Sequence, residues 1–337
     1  MEFRHLGHSG LIVSRLAYGN WLTGPSARDE KTDAACVRAA LDAGITTFDT
    51  ADVYADTRGE ESLGRALRGV RREGLEILTK VFAPTGPGRN DLGLSRKHIQ
   101  ESIDGSLRRL GMAYVDVYQA HRFDPSTPLE ETMEALADVV HTGRAHYIGV
   151  SEWTADQIAR GHALARELRI PLVAHQTQYS ALWRVPESEV IPACAELGVG
   201  QIAWSPLAQG VLTGKYAAAA GRWPEGSRAT AENDGSALLA GWLTDEVLDR
   251  VGRLRPIAAE LGLTTAQLAL AWVLHRPGVS AAVIGASRPE QITDNARAAE
   301  IRLADDALAA VEEALAPVVT WTAPEPAGPT DPGWRLG

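Results

Sequence analysis

Strand-sized apolar runs alternate along this chain with longer amphipathic segments, and this alternation restricts its fold more than any other feature. It is typical of repeated βα units, in which a helix follows each strand and the strands lie parallel. The predicted strands are residues 15–20, 46–51, 75–80, 114–121, 146–151, 173–179, 201–207 and 281–287. Eight such units predict an α/β protein with a closed (β/α)₈ barrel, the TIM barrel architecture.

Local signals add detail to this barrel. The opening segment "RHLGHSGLIVS" predicts an N-terminal β-hairpin. A helix is predicted between Ser95, which can cap its start, and Gly111, which can close its end. Its apolar residues recur at helical spacing, so one face should pack on the sheet; they are Ile99, Ile103, Leu107 and Leu110.

Two segments do not fit the βα repeat. Residues 208–245 form a long loop insertion after strand seven, and their Gly, Ala and Pro content is typical of a mobile loop, for which a lid is one option. Extra helices are expected near the C-terminus. Residues 317–337 have too much Pro and Gly to continue a helix, which predicts an extended or disordered tail. The chain is thus predicted to be a single barrel domain, residues 1–337.

Composition excludes several classes of partner. The formal net charge is -10 and the basic residues do not cluster, which argues against nucleic acid and anionic membranes as partners.

The sequence has no signal-like apolar run at its start and no uncharged stretch long enough to span a bilayer, so the cytoplasm is the expected location. Cys36 and Cys194 lack metal-site spacing and are expected to be core thiols. No metal site is predicted.

Polar residues recur at the predicted strand ends. The C-terminal ends of barrel strands meet at one mouth, where active sites of such barrels form, so residues far apart in sequence are expected to line one pocket. The residues at these positions are Asp49, Lys80, His121, Ser151, Gln176, Trp204 and Ser205.

Asp49, Tyr54, Lys80 and His121 together suit proton transfer. A free phenol has a pKa of about 10, and a neighbouring ammonium such as Lys80 is expected to lower it. Asp49 would hold Lys80, and His121 would hydrogen-bond the reacting oxygen or resupply the proton. Such a device suits protonation of a carbonyl oxygen coupled to hydride delivery. A purely structural Asp-Lys ion pair is the alternative.

A hydride donor of the dinucleotide type needs a phosphate site, and loops after strands seven and eight commonly provide one. The first loop, "SPLAQGVLTGKY", offers glycines and Lys215, and the second, "GASRPEQITDN", places Ser287 and Arg288 at a helix start. An Arg beside the ribose phosphate favours NADP over NAD. The alternative is a capping box, in which Ser287 caps the helix, Glu290 reaches back, and Pro289 takes the first helical position.

With these residues in place, the sequence resembles the aldo-keto reductase superfamily, in particular the branch of the voltage-gated potassium channel beta subunits and related bacterial reductases. The resemblance covers nearly the whole chain. The matching segments, in the family's order, are "LGHSGLIVSRLAYGNW", "GITTFDTADVYADTRGEESLGRAL", "GLSRKHIQESIDGSLRRLGMAYVDVYQAHRFDPSTPLEETMEAL", "WSPLAQGVLTGKY" and "VIGASRPEQITDNARA".

The resemblance implies a barrel that binds NADPH without a Rossmann domain. Asp49, Tyr54, Lys80 and His121 match the catalytic tetrad, with Tyr54 as the general acid. The substrate would contact Trp21, Tyr54 and His121. The cofactor would contact Asn20, Trp21, Asp49, Ser151, Gln176 and Trp204 around the nicotinamide, Ser205, Leu207, Gly210, Lys215 and Arg228 along the phosphates, and Gly285, Ser287, Arg288, Gln291 and Asn295 at the adenosine end.

Two positions depart from the branch. Glu152 stands where Asn, or Arg in the channel subunits, is common, and a carboxylate can accept from an amide but cannot donate to it. His121 stands where channel subunits tend to have Asn, which favours turnover.

The leading hypothesis is an NADPH-dependent reductase of aldehydes or ketones. The alternatives are a redox-sensing regulatory subunit and a reductase of keto-sugar or glyceraldehyde-type substrates. A metal-dependent hydrolase ranks last, because the sequence has no ligand cluster at the strand ends. The resemblance also implies a possible homo-oligomer, a tetramer or octamer.

Overall fold

The computed structural model describes residues 1–21, 30–216, 223–224, 227–230, 239 and 241–323. The chain begins with a two-stranded antiparallel hairpin of β1 (Phe3–His5) and β2 (Ile12–Ser14). Leu6 and Val13 are buried beneath the barrel, where they join a small apolar cluster that includes Leu78. The predicted hairpin is confirmed and packs against the N-terminal end of the barrel.

Eight parallel strands form a closed barrel in the order β10-β3-β4-β5-β6-β7-β8-β9. The predicted fold and all eight predicted strands are therefore confirmed, with ends that differ by a few residues. The barrel strands are β3 (Leu16–Gly19), β4 (Thr47–Asp49), β5 (Glu76–Val81), β6 (Val115–Ala120), β7 (Ala145–Ser151), β8 (Leu172–Gln178), β9 (Gly200–Trp204) and β10 (Val279–Ile284).

Helices surround the barrel, and most of the buried apolar side chains lie between them and the strands. Through the barrel they are α1 (Glu30–Asp42), α2 (Arg58–Ala66), α3 (Arg96–Leu110), α4 (Leu129–His141), α5 (Ala155–Glu167) and α6 (Val190–Leu197). The later ones are α7 (Asp245–Gly252), α8 (Leu254–Glu260), α9 (Thr265–His275), α10 (Pro289–Ala296) and α11 (Asp305–Leu315).

Helix α3 follows its sequence signals closely. The Ser95 side chain accepts a hydrogen bond from the His98 backbone N–H at 3.3 Å. Gly111 ends the helix with a left-handed φ of 66°, a conformation that glycine adopts without a steric penalty. Ile99 and Ile103 are fully buried, so the predicted apolar face does pack on the sheet.

The insertion after β9 begins with a 3₁₀ segment at Ala208–Thr213. The residues predicted to form a lid fall largely at 217–222, 225–226, 231–238 and 240, outside the described part of the chain. Near the C-terminus, the Thr320 N–H donates to Leu182 O at 2.8 Å, and the Arg184 N–H donates to Thr320 O at 2.9 Å. The first part of the predicted tail thus pairs with the loop after β8, while residues 324–337 lie outside the described residues.

Among the described residues, no single helix has the length and apolarity needed to cross a membrane. The segments Asp245–Glu260 and Thr265–His275 meet that test only when they are taken together, and a bend of 89° separates them. Cys36 and Cys194 are both buried, as expected of core thiols.

Candidate active site

Three neighbouring strands bring an acid, an amine and an imidazole to one place. Asp49 ends β4, Lys80 lies at the end of the adjacent β5, and His121 follows β6. The buried Lys80 Nζ donates to Asp49 Oδ2 at 2.7 Å and to the Thr50 carbonyl oxygen at 2.7 Å. It also lies 3.2 Å from the Tyr54 hydroxyl oxygen. The four residues predicted to act together therefore lie together in the structure.

An unusual turn holds Tyr54. The next three residues, Ala55, Asp56 and Thr57, have left-handed φ values of 55°, 53° and 72°. Non-glycine residues rarely adopt this conformation, and runs of it persist only where surrounding contacts impose it. Gly59 closes the turn by donating its N–H to Tyr54 O at 2.9 Å, and a Cβ at Gly59 would come within 2.9 Å of the Tyr54 Cβ. Only glycine fits this close approach.

His121 is held beside the phenol. Its ring meets that of Tyr54 edge to face, with 5.8 Å between ring centroids, and its backbone N–H donates to Val81 O at 2.9 Å. Burial, together with the positive charges of Lys80 and Arg122, lowers the pKa of His121 well below its usual value. The imidazole is therefore neutral at neutral pH and suited to hydrogen bonding with a reacting oxygen.

Burial and charge act in opposite directions on the pKa of Tyr54. Burial raises the pKa of Tyr54, and Lys80 lowers it, as expected, but by less, so the net shift is upward. Burial lowers the pKa of Lys80, but Asp49 and Tyr54 raise it by more, so the net shift is upward. The phenol is protonated and the amine charged at neutral pH, which is the state that a proton donor beside a fixed cation requires.

Residues predicted to contact the nicotinamide also support the tetrad. Gln176 Nε2 donates to Asp49 Oδ1 at 2.8 Å, so it fixes the carboxylate oxygen that Lys80 leaves free. Asn20 Nδ2 donates to the Gly59 carbonyl oxygen at 2.7 Å and so anchors the start of α2. Ser151 is buried at the end of β7, with Arg122 Nη1 at 3.4 Å from its hydroxyl oxygen.

Trp204 and Glu152 form a contact that the sequence analysis missed. Trp204 is half-buried at the end of β9, and its Nε1–H donates to Glu152 Oε1 at 2.7 Å. The sequence marked Glu152 only as a departure from an expected residue type. Since β7 and β9 are not adjacent in the barrel, sequence spacing carried no signal for their contact. Trp21, which lies two residues after the C-terminal end of β3, is 37% exposed.

The loop after β9, predicted to bind phosphate, contains several residues with left-handed backbone conformations. Ser205, Ala208, Gln209 and Gly210 all have positive φ values, so consecutive residues turn tightly. At Gly210 an added Cβ would lie 3.1 Å from Lys215 Nζ, which places this exposed amine over the turn. The structure therefore brings Ser205, half-buried Leu207, Gly210 and Lys215 into one loop.

The start of α10 differs from the predicted capping box. The N-cap is Arg288 and no side chain caps it, although Pro289 does occupy the first helical position. The Ser287 backbone N–H and hydroxyl both donate to Gln291 Oε1, at 2.7 and 3.1 Å. The predicted pairing of Ser287 with Glu290 is wrong because Gln291, one residue further, already engages both Ser287 donors.

The other predicted adenosine-end residues vary in exposure. Gly285, Ser287 and Arg288 are exposed after β10, whereas Asn295 is buried on α10. Because β10 is hydrogen-bonded to β9, the loops after these two strands lie side by side at the barrel mouth. Arg228 starts a 3₁₀ turn at Arg228–Thr230, and its side chain lies outside the described part of the structure.

The fold and this site together define a class of protein: a (β/α)₈ barrel with an acid, an amine, a phenol and an imidazole at the C-terminal ends of adjacent strands. The sequence profile of the aldo/keto reductase family matches residues 15–316. The chain belongs to the aldo/keto reductase family. This membership indicates an oxidoreductase.

Similar proteins are named as channel subunits. The chain is 45% identical over 306 residues to a probable voltage-gated potassium channel subunit beta of Oryza sativa, covering 89% of this chain and 92% of that one. The Arabidopsis thaliana protein of the same name matches with the same identity and coverage. A putative voltage-gated potassium channel subunit beta of Schizosaccharomyces pombe is 43% identical over 327 residues, or 94% of this chain and 93% of that one.

Proposed function

We propose that this protein is an NADPH-dependent reductase that converts aldehydes or ketones to alcohols. The observation that carries the proposal is the position of Lys80 Nζ, 2.7 Å from Asp49 Oδ2 and 3.2 Å from the Tyr54 hydroxyl oxygen. A fixed cation against a protonated phenol is suited to proton donation as negative charge develops on a carbonyl oxygen.

When bound at this mouth, NADPH would supply the hydride for the carbonyl carbon. Tyr54 donates its phenolic proton to the carbonyl oxygen, so the C=O double bond becomes CH–OH. Lys80 stabilises the phenolate that remains, and Asp49, held by Gln176, keeps Lys80 charged and in place. Neutral His121, beside Tyr54, would donate a hydrogen bond to the same oxygen.

The donor set fits a phosphorylated dinucleotide. Ser205 and Lys215 after β9, with Ser287 and Arg288 after β10, offer two hydroxyls and two cations on adjacent loops. Such groups bind phosphate through charge-assisted hydrogen bonds. Arg288 is the residue that we propose distinguishes NADPH from NADH. Arg228 is proposed to assist it.

The substrate is a small carbonyl compound that would reach Trp21, Tyr54 and His121 at the mouth. Trp21 is 37% exposed and offers an aromatic face, which suits an aromatic or aliphatic aldehyde as well as the face of a sugar ring. Keto-sugar and glyceraldehyde-type substrates therefore belong in the first assays. A tetrameric or octameric assembly, a cytoplasmic location and the lack of a nucleic-acid partner remain predictions.

The names of the relatives favour a second candidate, a regulatory subunit that binds NADPH as a redox sensor. Proteins 43% to 45% identical to this chain are named as channel beta subunits. A sensor performs at most one slow turnover, whereas an enzyme turns over repeatedly. The complete tetrad, including His121, supports the enzyme.

The test is NADPH consumption with 4-nitrobenzaldehyde, methylglyoxal, glyceraldehyde and a simple ketone. Tyr54→Phe removes the transferable proton but retains the ring, so turnover should fall at least about a hundredfold while NADPH affinity stays nearly constant. Tyr114→Phe, at the opposite end of the barrel, is the matched control and should keep full activity. Near-normal turnover in Tyr54→Phe contradicts the assignment. Tight NADPH binding without repeated turnover in the wild type favours the sensor.

A further inference from the structure

Glu152 has a backbone conformation that its residue type disfavours. It follows the last residue of β7 with a φ of 55°, in the left-handed region that few non-glycine residues adopt. Such conformations persist where surrounding contacts hold them, and they concentrate at functional sites. The contacts that hold Glu152 are therefore informative.

The Glu152 side chain links the ends of three barrel strands. Its Oε1 accepts from the Gln178 backbone N–H at the end of β8, at 2.6 Å, and from Trp204 Nε1–H at the end of β9, at 2.7 Å. Its own backbone N–H donates to the Gln176 carbonyl oxygen at 3.1 Å. The carboxylate is thus fixed in place although the residue is exposed.

This arrangement restrains the Trp204 ring. An indole N–H can only donate, so an acceptor fixed to two other strands sets the direction in which the N–H points, and with it the plane of the ring. Trp204 is one of the residues that the family resemblance predicts to lie around the nicotinamide. The negative charge of Glu152 therefore lies at the edge of the Trp204 indole, against whose face the nicotinamide ring would stack.

We propose that Glu152 is a positioning residue that fixes the indole plane of Trp204 and that its charge strengthens the binding of oxidised NADP⁺ relative to that of reduced NADPH. This inference rests on the proposed function. The oxidised nicotinamide ring carries a positive charge and the reduced ring is neutral, so a nearby carboxylate stabilises only the oxidised form.

Arg122 is a cation on the same side of the mouth. Its Nη1 donates to the His121 carbonyl oxygen at 2.6 Å, and the residue is exposed. Its positive charge disfavours the oxidised nicotinamide, which is the opposite of the effect of Glu152. This charge is still present when Glu152 is substituted. A change in nucleotide preference between wild type and a Glu152 variant therefore reports the carboxylate alone.

The experiment measures dissociation constants of NADP⁺ and NADPH by isothermal titration for the full chain. Glu152→Gln keeps an oxygen that can accept both hydrogen bonds but removes the charge. Its Kd for NADP⁺ should rise about three- to tenfold, and its Kd for NADPH less than about twofold. The effect should shrink at high salt, because an exposed charge is screened.

Glu152→Ala removes both the charge and the acceptor for Trp204. Its affinity for both nucleotides should fall, by about threefold or more beyond the change in Glu152→Gln. This difference separates ring positioning from charge. Glu167→Gln, an exposed carboxylate at the end of α5, controls for the change in net charge and should leave both constants unaltered.

The outcomes distinguish this inference from the proposed function. If the wild type binds neither nucleotide, both fail. A second outcome is that the wild type binds both nucleotides while Glu152→Gln raises the two dissociation constants equally or leaves both unchanged. In that case the proposed function stands and the proposed effect of the Glu152 charge is wrong. If Glu152→Ala behaves like Glu152→Gln in every titration, the positioning role is wrong.

Discussion

The two halves of the candidate site are built differently. On the β4, β5 and β6 side, Lys80 is fully buried and donates to Asp49 Oδ2 and the Thr50 carbonyl oxygen. On the β9 and β10 side, Lys215 and Arg288 are exposed on loops. The barrel strands fix the charged groups of the first half, whereas the second half exposes its positive charges to solvent and to a bound anion.

The difference follows from the chemistry that each half would perform. Proton donation needs a phenol held beside a desolvated cation, since such electrostatic interactions weaken in water. Phosphate recognition tolerates exposed cations on long side chains, because strong charge-assisted hydrogen bonds form when the anion arrives. Substitutions in the first half should therefore affect turnover and folding together, and those in the second should affect affinity alone.

Lys80→Met should show the largest effect. Turnover should fall at least about a hundredfold, and the free energy of unfolding should fall by about 3–5 kcal/mol, because Asp49 is left buried without its cation. Urea unfolding followed by circular dichroism, and NADPH consumption, measure the two effects.

The double variant Lys80→Met with Asp49→Asn is the control for the buried charge. It removes the unpaired carboxylate, so it should recover part of the lost stability and none of the activity. A double variant no more stable than Lys80→Met would contradict the argument that the uncompensated Asp49 charge causes the instability.

Gly59→Ala should have an intermediate effect. Its new Cβ would lie 2.9 Å from the Tyr54 Cβ and 3.0 Å from Tyr54 O, so the Tyr54 turn must shift. We expect kcat to fall about tenfold while the Kd for NADPH is retained. Gly74→Ala is the matched control, since the nearest atom to a Cβ there is an arginine nitrogen at 3.9 Å. Equal kcat values for the two variants would show that Tyr54 is not held by this approach.

Sequence reasoning predicted those features of the site that depend only on the order of the strands. Once eight strands were assigned, the C-terminal positions of Asp49, Lys80 and His121 placed them at one mouth, and the structure confirms this proximity. The alternation of apolar runs is a property of the local chain, so it can be seen without knowing which strands are neighbours.

The features that the sequence did not predict depend on three-dimensional closeness or on a balance of energies. The contact of Gly59 with Tyr54 depends on a strained turn that residue types alone did not indicate. The upward pKa shift of Tyr54 depends on burial exceeding the effect of Lys80. At α10, the choice between Glu290 and Gln291 as the partner of Ser287 depends on a helix start displaced by one residue.

Arg288→Ala should have the smallest effect and sharpens the comparison between the two halves. Arg288 is exposed, so its loss should leave folding unchanged and weaken NADPH about five- to tenfold by removing a charge-assisted hydrogen bond. The Kd for NADH should change less than about twofold, because NADH lacks the ribose phosphate, and kcat at saturating NADPH should stay near wild type.

Arg255→Ala controls for the lost charge, because Arg255 is an exposed arginine on α8. An equal loss of affinity for NADPH and NADH would show that Arg288 does not recognise the extra phosphate, and a large fall in kcat would show that the two halves are not independent.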